Sequence, residues 1–255
     1  MYIDTHTHIY LKDFEEDRKE IITECLDLSV SKLFLPNIDS STIEDVIQVC
    51  NTYPEICHPM IGLHPCSVKG NFQEELNKIY PYINSVQPIA IGEIGIDLYW
   101  DKTTLKEQIK AFEKQINWAK EFSLPIVIHA RDSYREIFDV LDEMNDKNLK
   151  GIFHCFSSNL KDANHILSYG GFKLGIGGVV TFKNAGLDKT LVNISMDNLV
   201  LETDSPYLTP APYRGKRNKS SYIPLIAKKL SEIYNVDITE IAKITTKNAE
   251  EIFNL

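Results

Sequence analysis

Neither a G-x-G-x-x-G turn nor a Walker A loop follows any strand-like run in these 255 residues, so the usual phosphate cradles of nucleotide-binding α/β chains are missing. No apolar run approaches the ~20 residues that cross a bilayer. The start, Met1-Tyr2-Ile3-Asp4, lacks the basic and apolar regions of a signal peptide. Together these absences lead us to expect a cytoplasmic protein with no membrane association. The five cysteines, Cys25, Cys50, Cys57, Cys66 and Cys155, are odd in number and form no C-x-x-C pair. That excludes a disulfide framework and a thiolate zinc knuckle, and predicts reduced thiols. Positive charge is also short: 27 Lys and Arg stand against 36 Asp and Glu, a net charge of −9. Broad adhesion to a long nucleic acid needs a basic face and is therefore excluded, although a local phosphate pocket is not. Arg214, Lys216, Arg217 and Lys219 concentrate positive charge in one short segment. No long coiled coil is present, so a monomer without an obligatory protein partner is expected.

What remains has the balance of an ordinary globular chain, 43% hydrophobic and 25% charged. Eight short strand-like runs recur: Tyr2-Ile3, Leu33 to Leu35, Pro59 to Ile61, Ile89 to Ile91, Ile126 to Ile128, Gly151 to Phe153, Phe172 to Leu174 and Leu199 to Leu201. Helical stripes lie between them. Leu105, Ile109, Phe112, Ile116 and Ala119 repeat at helical spacing, with Thr104 and Glu107 predicting a capping box; Ile137, Phe138, Leu141 and Met144 form another stripe. Further stripes run through Ile21, Ile22, Cys25 and Leu26, and through Ile223, Ile226, Leu230 and Ile233. Alternating strands and helices predict βα units with a parallel sheet. Eight of them, in a chain close to the roughly 250 residues typical of the fold, predict one α/β domain over residues 1–255, a (β/α)₈ TIM barrel.

Five of the seven histidines, His6, His8, His64, His129 and His154, fall at the C-terminal ends of the first, third, fifth and sixth strands, the catalytic rim of such a barrel. His6 and His8 are two apart, so a strand turns both imidazoles to one side. Glu93 lies at the end of the fourth strand between glycines, and Asp204 closes the eighth. Imidazole and carboxylate donors without thiolate suit Zn, Mn, Fe or Mg. A carboxylate able to bridge, with histidines on either side, points to two divalent ions about 3.5–4 Å apart. The plainer readings are a hydrogen-bonded His6-His8 pair, Glu93 paired with Arg131, and a solvated basic loop at 214 to 219. Asp97 is expected either to steer the neighbouring loop or to support a ligand. Cys155 is expected to turn away from His154 and pack as a small apolar residue. Cys66 has no evident partner near His64. His58 and His165 lie off the rim and read as structural or exposed.

With these motifs in place, the chain resembles the TatD family of metal-dependent deoxyribonucleases, within the wider barrel amidohydrolases. The likeness runs nearly end to end, through Asp4-Thr5-His6-Thr7-His8, Gly62-Leu63-His64-Pro65, Gly92-Glu93-Ile94-Gly95-Ile96-Asp97, His129-Ala130-Arg131, His154-Cys155-Phe156-Ser157, Gly175-Ile176-Gly177-Gly178, Glu202 to Leu208 and Arg214 to Asn218. It departs at Ser158, where the family usually has glycine, and at Lys219-Ser220-Ser221. The resemblance implies that His6, His8, Glu93 and Asp204 hold one ion and that Glu93, His129 and His154 hold a second, with His64 at the substrate phosphate. It implies two divalent ions, Zn, Mg or Mn, and a DNA substrate.

The expected chemistry is hydrolysis of a phosphodiester. Asp204 would help to deprotonate the attacking water, while Arg131, Arg214 and Arg217 neutralise the phosphate through bidentate contacts. A recessed barrel mouth favours single-stranded ends. The rival readings are ester hydrolysis on D-aminoacyl-tRNA at the same metal site, and a non-enzymatic nucleic-acid-binding scaffold.

Overall fold

The computed structural model describes residues 1–255. Eight strands form one parallel sheet in sequence order: β1 (Tyr2–Asp4), β2 (Val30–Pro36), β3 (Cys57–Ile61), β4 (Ala90–Asp97), β5 (Ile126–Arg131), β6 (Gly151–Phe153), β7 (Phe172–Ile176) and β8 (Leu199–Leu201). The ring closes between β8 and β1, where Thr5 N donates to Leu201 O at 3.0 Å and Thr7 bridges Ser205. The predicted TIM barrel is therefore the observed fold.

The chain returns between strands through α1 (Arg18–Asp27), α2 (Ile43–Thr52), α3 (Phe72–Val86), α4 (Leu105–Phe122), α5 (Tyr134–Met144), α6 (Leu160–Ser168), α7 (Leu187–Leu191) and α8 (Ile223–Tyr234), and ends in α9 (Ile238–Phe253). The four stripes read from the sequence fall on α1, α4, α5 and α8. The capping box at α4 does not form: Thr104 makes no cap bond, and its hydroxyl instead accepts from Gln108 Nε2 at 3.0 Å.

Strand alternation divides the core in two. Ile3, Phe34, Met60, Ala90, Val127, Ile152 and Val200 face inward and pack with Ala249, Ile252 and Phe253 of α9, which plugs the lower end of the barrel. Their strand neighbours, among them Leu33, Ile91, Ile126, Phe153, Leu174 and Leu201, face outward into the larger cluster under the helices. Filling the lower barrel leaves the inward positions farther along the strands free for polar groups. No helix is long and apolar enough to cross a membrane.

Candidate metal centre

Inward positions above the apolar plug carry nearly all the chemistry. Val127 faces in, so His129 does too; Ile152 faces in, so His154 does; Val200 faces in, so Glu202 does. Glu93 reaches the same space by another route. It does not end β4, as its sequence position implied, but sits mid-strand at a bulge: Gly92 pairs with Val127 and Ile94 with Ile128, leaving Glu93 as the extra residue. Without that bulge Glu93 would share a face with Ile91 and point into the outer core. With it, Ile91, Ile94 and Ile96 all stay outside and the carboxylate turns inward. His6 and His8 also lie beyond the strand expected to carry them, since β1 ends at Asp4. The Thr7–Ser205 bridge keeps this segment extended, so the two rings still converge.

Glu93 is the hub. Its Oε2 lies 3.1 Å from His6 Nε2 and 3.9 Å from His8 Nε2, while its Oε1 lies 2.7 Å from His129 Nδ1, 3.4 Å from His64 Nε2 and 3.8 Å from His154 Nε2. Asp204 Oδ1 stands 3.6 Å from His8 Nε2, 3.8 Å from His154 Nε2 and 3.9 Å from His6 Nε2. All six residues proposed as ligands from the sequence are thus brought together with His64. Three groupings, His6/His8/Glu93, His6/His154/Asp204 and His64/Glu93/His129, each have ligand atoms within 4.8 Å of one another.

Except for His6, whose Nδ1 is buried without a partner, a neighbour on each ring decides which nitrogen faces the cluster. His129 Nε2 is 2.8 Å from Asp97 Oδ2, which turns Nδ1 inward. His154 Nδ1 lies 3.0 Å from Glu202 Oε1, though out of line for a full hydrogen bond, which turns Nε2 inward. His8 Nδ1 meets the Tyr10 hydroxyl at 3.1 Å. His64 differs: its Nδ1 accepts from Cys66 N at 3.1 Å, so the proton of the neutral ring sits on Nε2, which faces Glu93 Oε1 at 3.4 Å. Asp97 fills both roles the sequence left open, because its Oδ1 also accepts from Tyr99 N and Trp100 N at 3.0 Å each.

The electrostatics follow from crowding in a buried space. Burial would raise the Glu93 carboxyl, yet His64, His6 and His154 around it hold it well below the usual range. Asp204 is likewise lowered against burial, by His8, His154 and His6. Burial lowers His6 and His64 despite Glu93. For His129 burial is outweighed by Asp97 and Glu93, which raise it to about 9; for His154 it is outweighed by Glu202 and Glu93, which raise it to about 10. Histidines and carboxylates facing one another in a buried space, with no thiolate among the six, form a donor set that a hard or borderline divalent cation satisfies. The cluster fits a metal.

Some side chains that sequence reasoning passed over matter here. Glu202 is fully buried beside His154 and accepts from Cys155 N. The two-residue rule that paired His6 with His8 would have placed it with Asp204. Asp4 is fully buried and ties β1 to β8, accepting from Thr203 N at 2.9 Å and Thr203 Oγ1 at 2.6 Å; burial raises its carboxyl to about 7. Cys155 departs from expectation: β6 stops at Phe153 and the chain turns left-handed at Cys155, which is mostly buried with its thiol beside His154 and Glu202.

The basic residues do not converge as the acids do. Arg131 pairs with no carboxylate and lies over the Tyr99 ring, 3.8 Å from its centre. Arg214 donates to Thr209 O at 3.1 Å and stacks 3.6 Å from the centre of Phe182. Arg217 is committed to Asp17, and Lys219 to Glu24. His58 meets Lys32 and His165 meets Asp142, both away from the cluster.

A family model described as TatD related DNase matches residues 3–254. The chain belongs to that family. It is 36% identical over 256 residues to YabD of Bacillus subtilis, described as an uncharacterized metal-dependent hydrolase, with all of both chains covered. It is 29% identical to the Pectobacterium parmentieri protein called 3'-5' ssDNA/RNA exonuclease TatD, covering 99% of each. Among solved structures, the Escherichia coli TatD homologue YjjV superposes with a TM-score of 0.93 at 24% identity, covering 100% of this chain and 98% of that one, a likeness of fold. At the level of the TatD family, the chain is a hydrolase of the metal-dependent, nuclease type.

Proposed function

We propose that the protein is a two-metal phosphodiesterase that removes nucleotides from unpaired DNA ends. The observation that carries this is the division of Glu93: one carboxylate oxygen faces His6 and His8, the other faces His129 and His154. His6, His8, Glu93 and Asp204 would hold one ion, and Glu93, His129 and His154 the other, with Glu93 shared. When bound, divalent ions there lower the pKa of a water and neutralise charge on phosphate oxygens.

The chain's own groups fill the remaining roles. Asp204 is 16% exposed, against 3% for Glu93 and 0% for His6, so the carboxylate that an attacking water can reach is Asp204, which accepts its proton. His64 presents its Nε2 proton to a phosphoryl oxygen, which fits a substrate contact better than a ligand role. Arg131 and Arg214 are free of acidic partners and supply charge to the phosphates, whereas Arg217 reaches one only by exchanging Asp17. The Pectobacterium relative, called a 3'-5' ssDNA/RNA exonuclease, supports the choice of single strands.

The test takes metal-stripped protein and restores Mg, Mn or Zn in turn with labelled single-stranded DNA, duplex DNA and D-aminoacyl-tRNA. Single-stranded DNA shortened from an end is the expected product. Release of the amino acid from tRNA without loss of DNA would replace this reading with ester hydrolysis, and no product from any pair would favour a scaffold. Glu93→Ala should abolish turnover in the metal-loaded protein while leaving its circular dichroism unchanged.

A further inference from the structure

The fold exposes only four aromatic side chains, Tyr99, Trp100, Tyr207 and Tyr213, and all four lie in the loops that follow β4 and β8 at the catalytic end of the barrel. Trp100 is 69% exposed and Tyr99 53%, a large apolar area to leave in water beside a reaction centre. Their rings stand edge to face, 5.0 Å apart at 88°. They do not wave freely, because Asp97 Oδ1 accepts both backbone amides and fixes the turn that presents them. The other oxygen of the same carboxylate holds His129, so one side chain sets the aromatic pair and a cluster histidine in fixed relation. Arg131, the last residue of β5 and paired in register with Asp97, lies over Tyr99 and 5.4 Å from Trp100.

We propose that Trp100 and Tyr99, with Arg131, form a nucleobase-stacking subsite that seats an unpaired base of the strand beside the reaction centre. This rests on the nucleic-acid reading above and deepens it. An aromatic face held beside a guanidinium without an acidic partner matches the chemistry of a single strand, a flat π surface joined to an anionic phosphate. A duplex end would have to unpair before its base could lie on Trp100. Stacking takes any base, so the subsite selects for strandedness and not for sequence. It also answers the charge problem of a chain at −9 with Arg217 and Lys219 already paired, since stacking adds affinity without phosphate contacts.

The experiment compares KM, in the metal-loaded enzyme, for an oligothymidylate and for an abasic oligonucleotide of equal length, which keeps the phosphates and removes the bases. The wild type should show a KM about 10-fold or more higher for the abasic strand. Trp100→Ala should bring that ratio close to unity, and Trp100→Phe should restore part of it. Trp118, the other tryptophan, is buried, so quenching of wild-type fluorescence by a phosphorothioate oligothymidylate reports on Trp100 and should vanish in Trp100→Phe. If the ratio in Trp100→Ala stays at its wild-type value, the subsite is refuted while the nuclease reading stands; an aromatic patch reserved for a protein partner gives that result. If the wild type turns over neither strand with any metal, both fall.

Discussion

Glu202 meets His154 and Cys155 at once, yet one of its oxygens is buried without a partner, and a side chain at Gly175 would place a Cβ only 2.2 Å from that oxygen. A buried carboxylate beside a ligand's far nitrogen fixes the ring and raises its basicity. Glu202→Gln should therefore weaken metal affinity by roughly 10–100-fold. Competition against a fluorescent chelator measures this, and an unchanged affinity would remove Glu202 from the support of His154. Proton linkage is a second consequence at this scale. In the metal-free protein His129 and His154 titrate at about 9 and about 10, above the ordinary value of 6.5, so both are protonated at neutral pH. An ion must displace a proton from each cluster-facing nitrogen. Affinity should accordingly rise from pH 7 through about 9 to 10 and level off above, with about two protons released per protein near neutrality. Calorimetry in buffers of different ionisation heat counts them; a flat profile from pH 7 to 9 would contradict the raised values.

Among the elements, β4 is the unusual one. All eight of its residues are buried, and its bulge converts an outward position into the hub of the site. Gly95 stands two residues beyond at φ +138°, where a Cβ would lie 2.2 Å from the His129 carbonyl oxygen. Only glycine supports that conformation and that approach. Gly95→Ala should cost about 2–3 kcal/mol in urea unfolding and displace His129, because backbone cannot yield as a flexible side chain does. A loss below about 0.5 kcal/mol, within the usual range for a surface substitution, would show that the strand relaxes. The sequence reading reached His129 and His154 because they fall at the C-terminal ends of their strands, on the rim that a parallel barrel shares. It reached Glu93 through its flanking glycines but put it at the strand end, since no local signal announces a bulge. The predicted Thr104 box failed for a related reason: a tertiary hydrogen bond from Gln108 to the Asp97 carbonyl at 3.1 Å draws that side chain toward Thr104.

Eight of the 27 lysines and arginines pair with a carboxylate, and two of those pairs lie in the segment after β8. Arg217 with Asp17 and Lys219 with Glu24 hold the segment after β8 against the first helix and its approach, which leaves Arg131 and Arg214 as the arginines near the mouth without an acidic partner. Two phosphate contacts on a single strand predict a slope of log affinity against log salt near roughly −1.4. Filter binding of an oligothymidylate between low and moderate salt tests this. A slope steeper than about −3 would mean that the paired arginine and lysine exchange their carboxylates for phosphate.

The sequence by itself determined the eightfold alternation, the donor types and their order along the chain, because hydrophobic period and residue chemistry are local properties. It also determined that the donors gather at one end, since strand ends in a parallel barrel share a rim. Only the tertiary structure decided that Glu93 presents an oxygen to each half of the cluster, that Glu202 and Asp97 orient the rings of His154 and His129, and that Arg217 and Lys219 of the basic segment are spent on acids far away in sequence. Each of these depends on which distant side chain arrives within about 3 Å, and in a closed barrel that is set by register and bulge, neither of which is written in the spacing of a single strand.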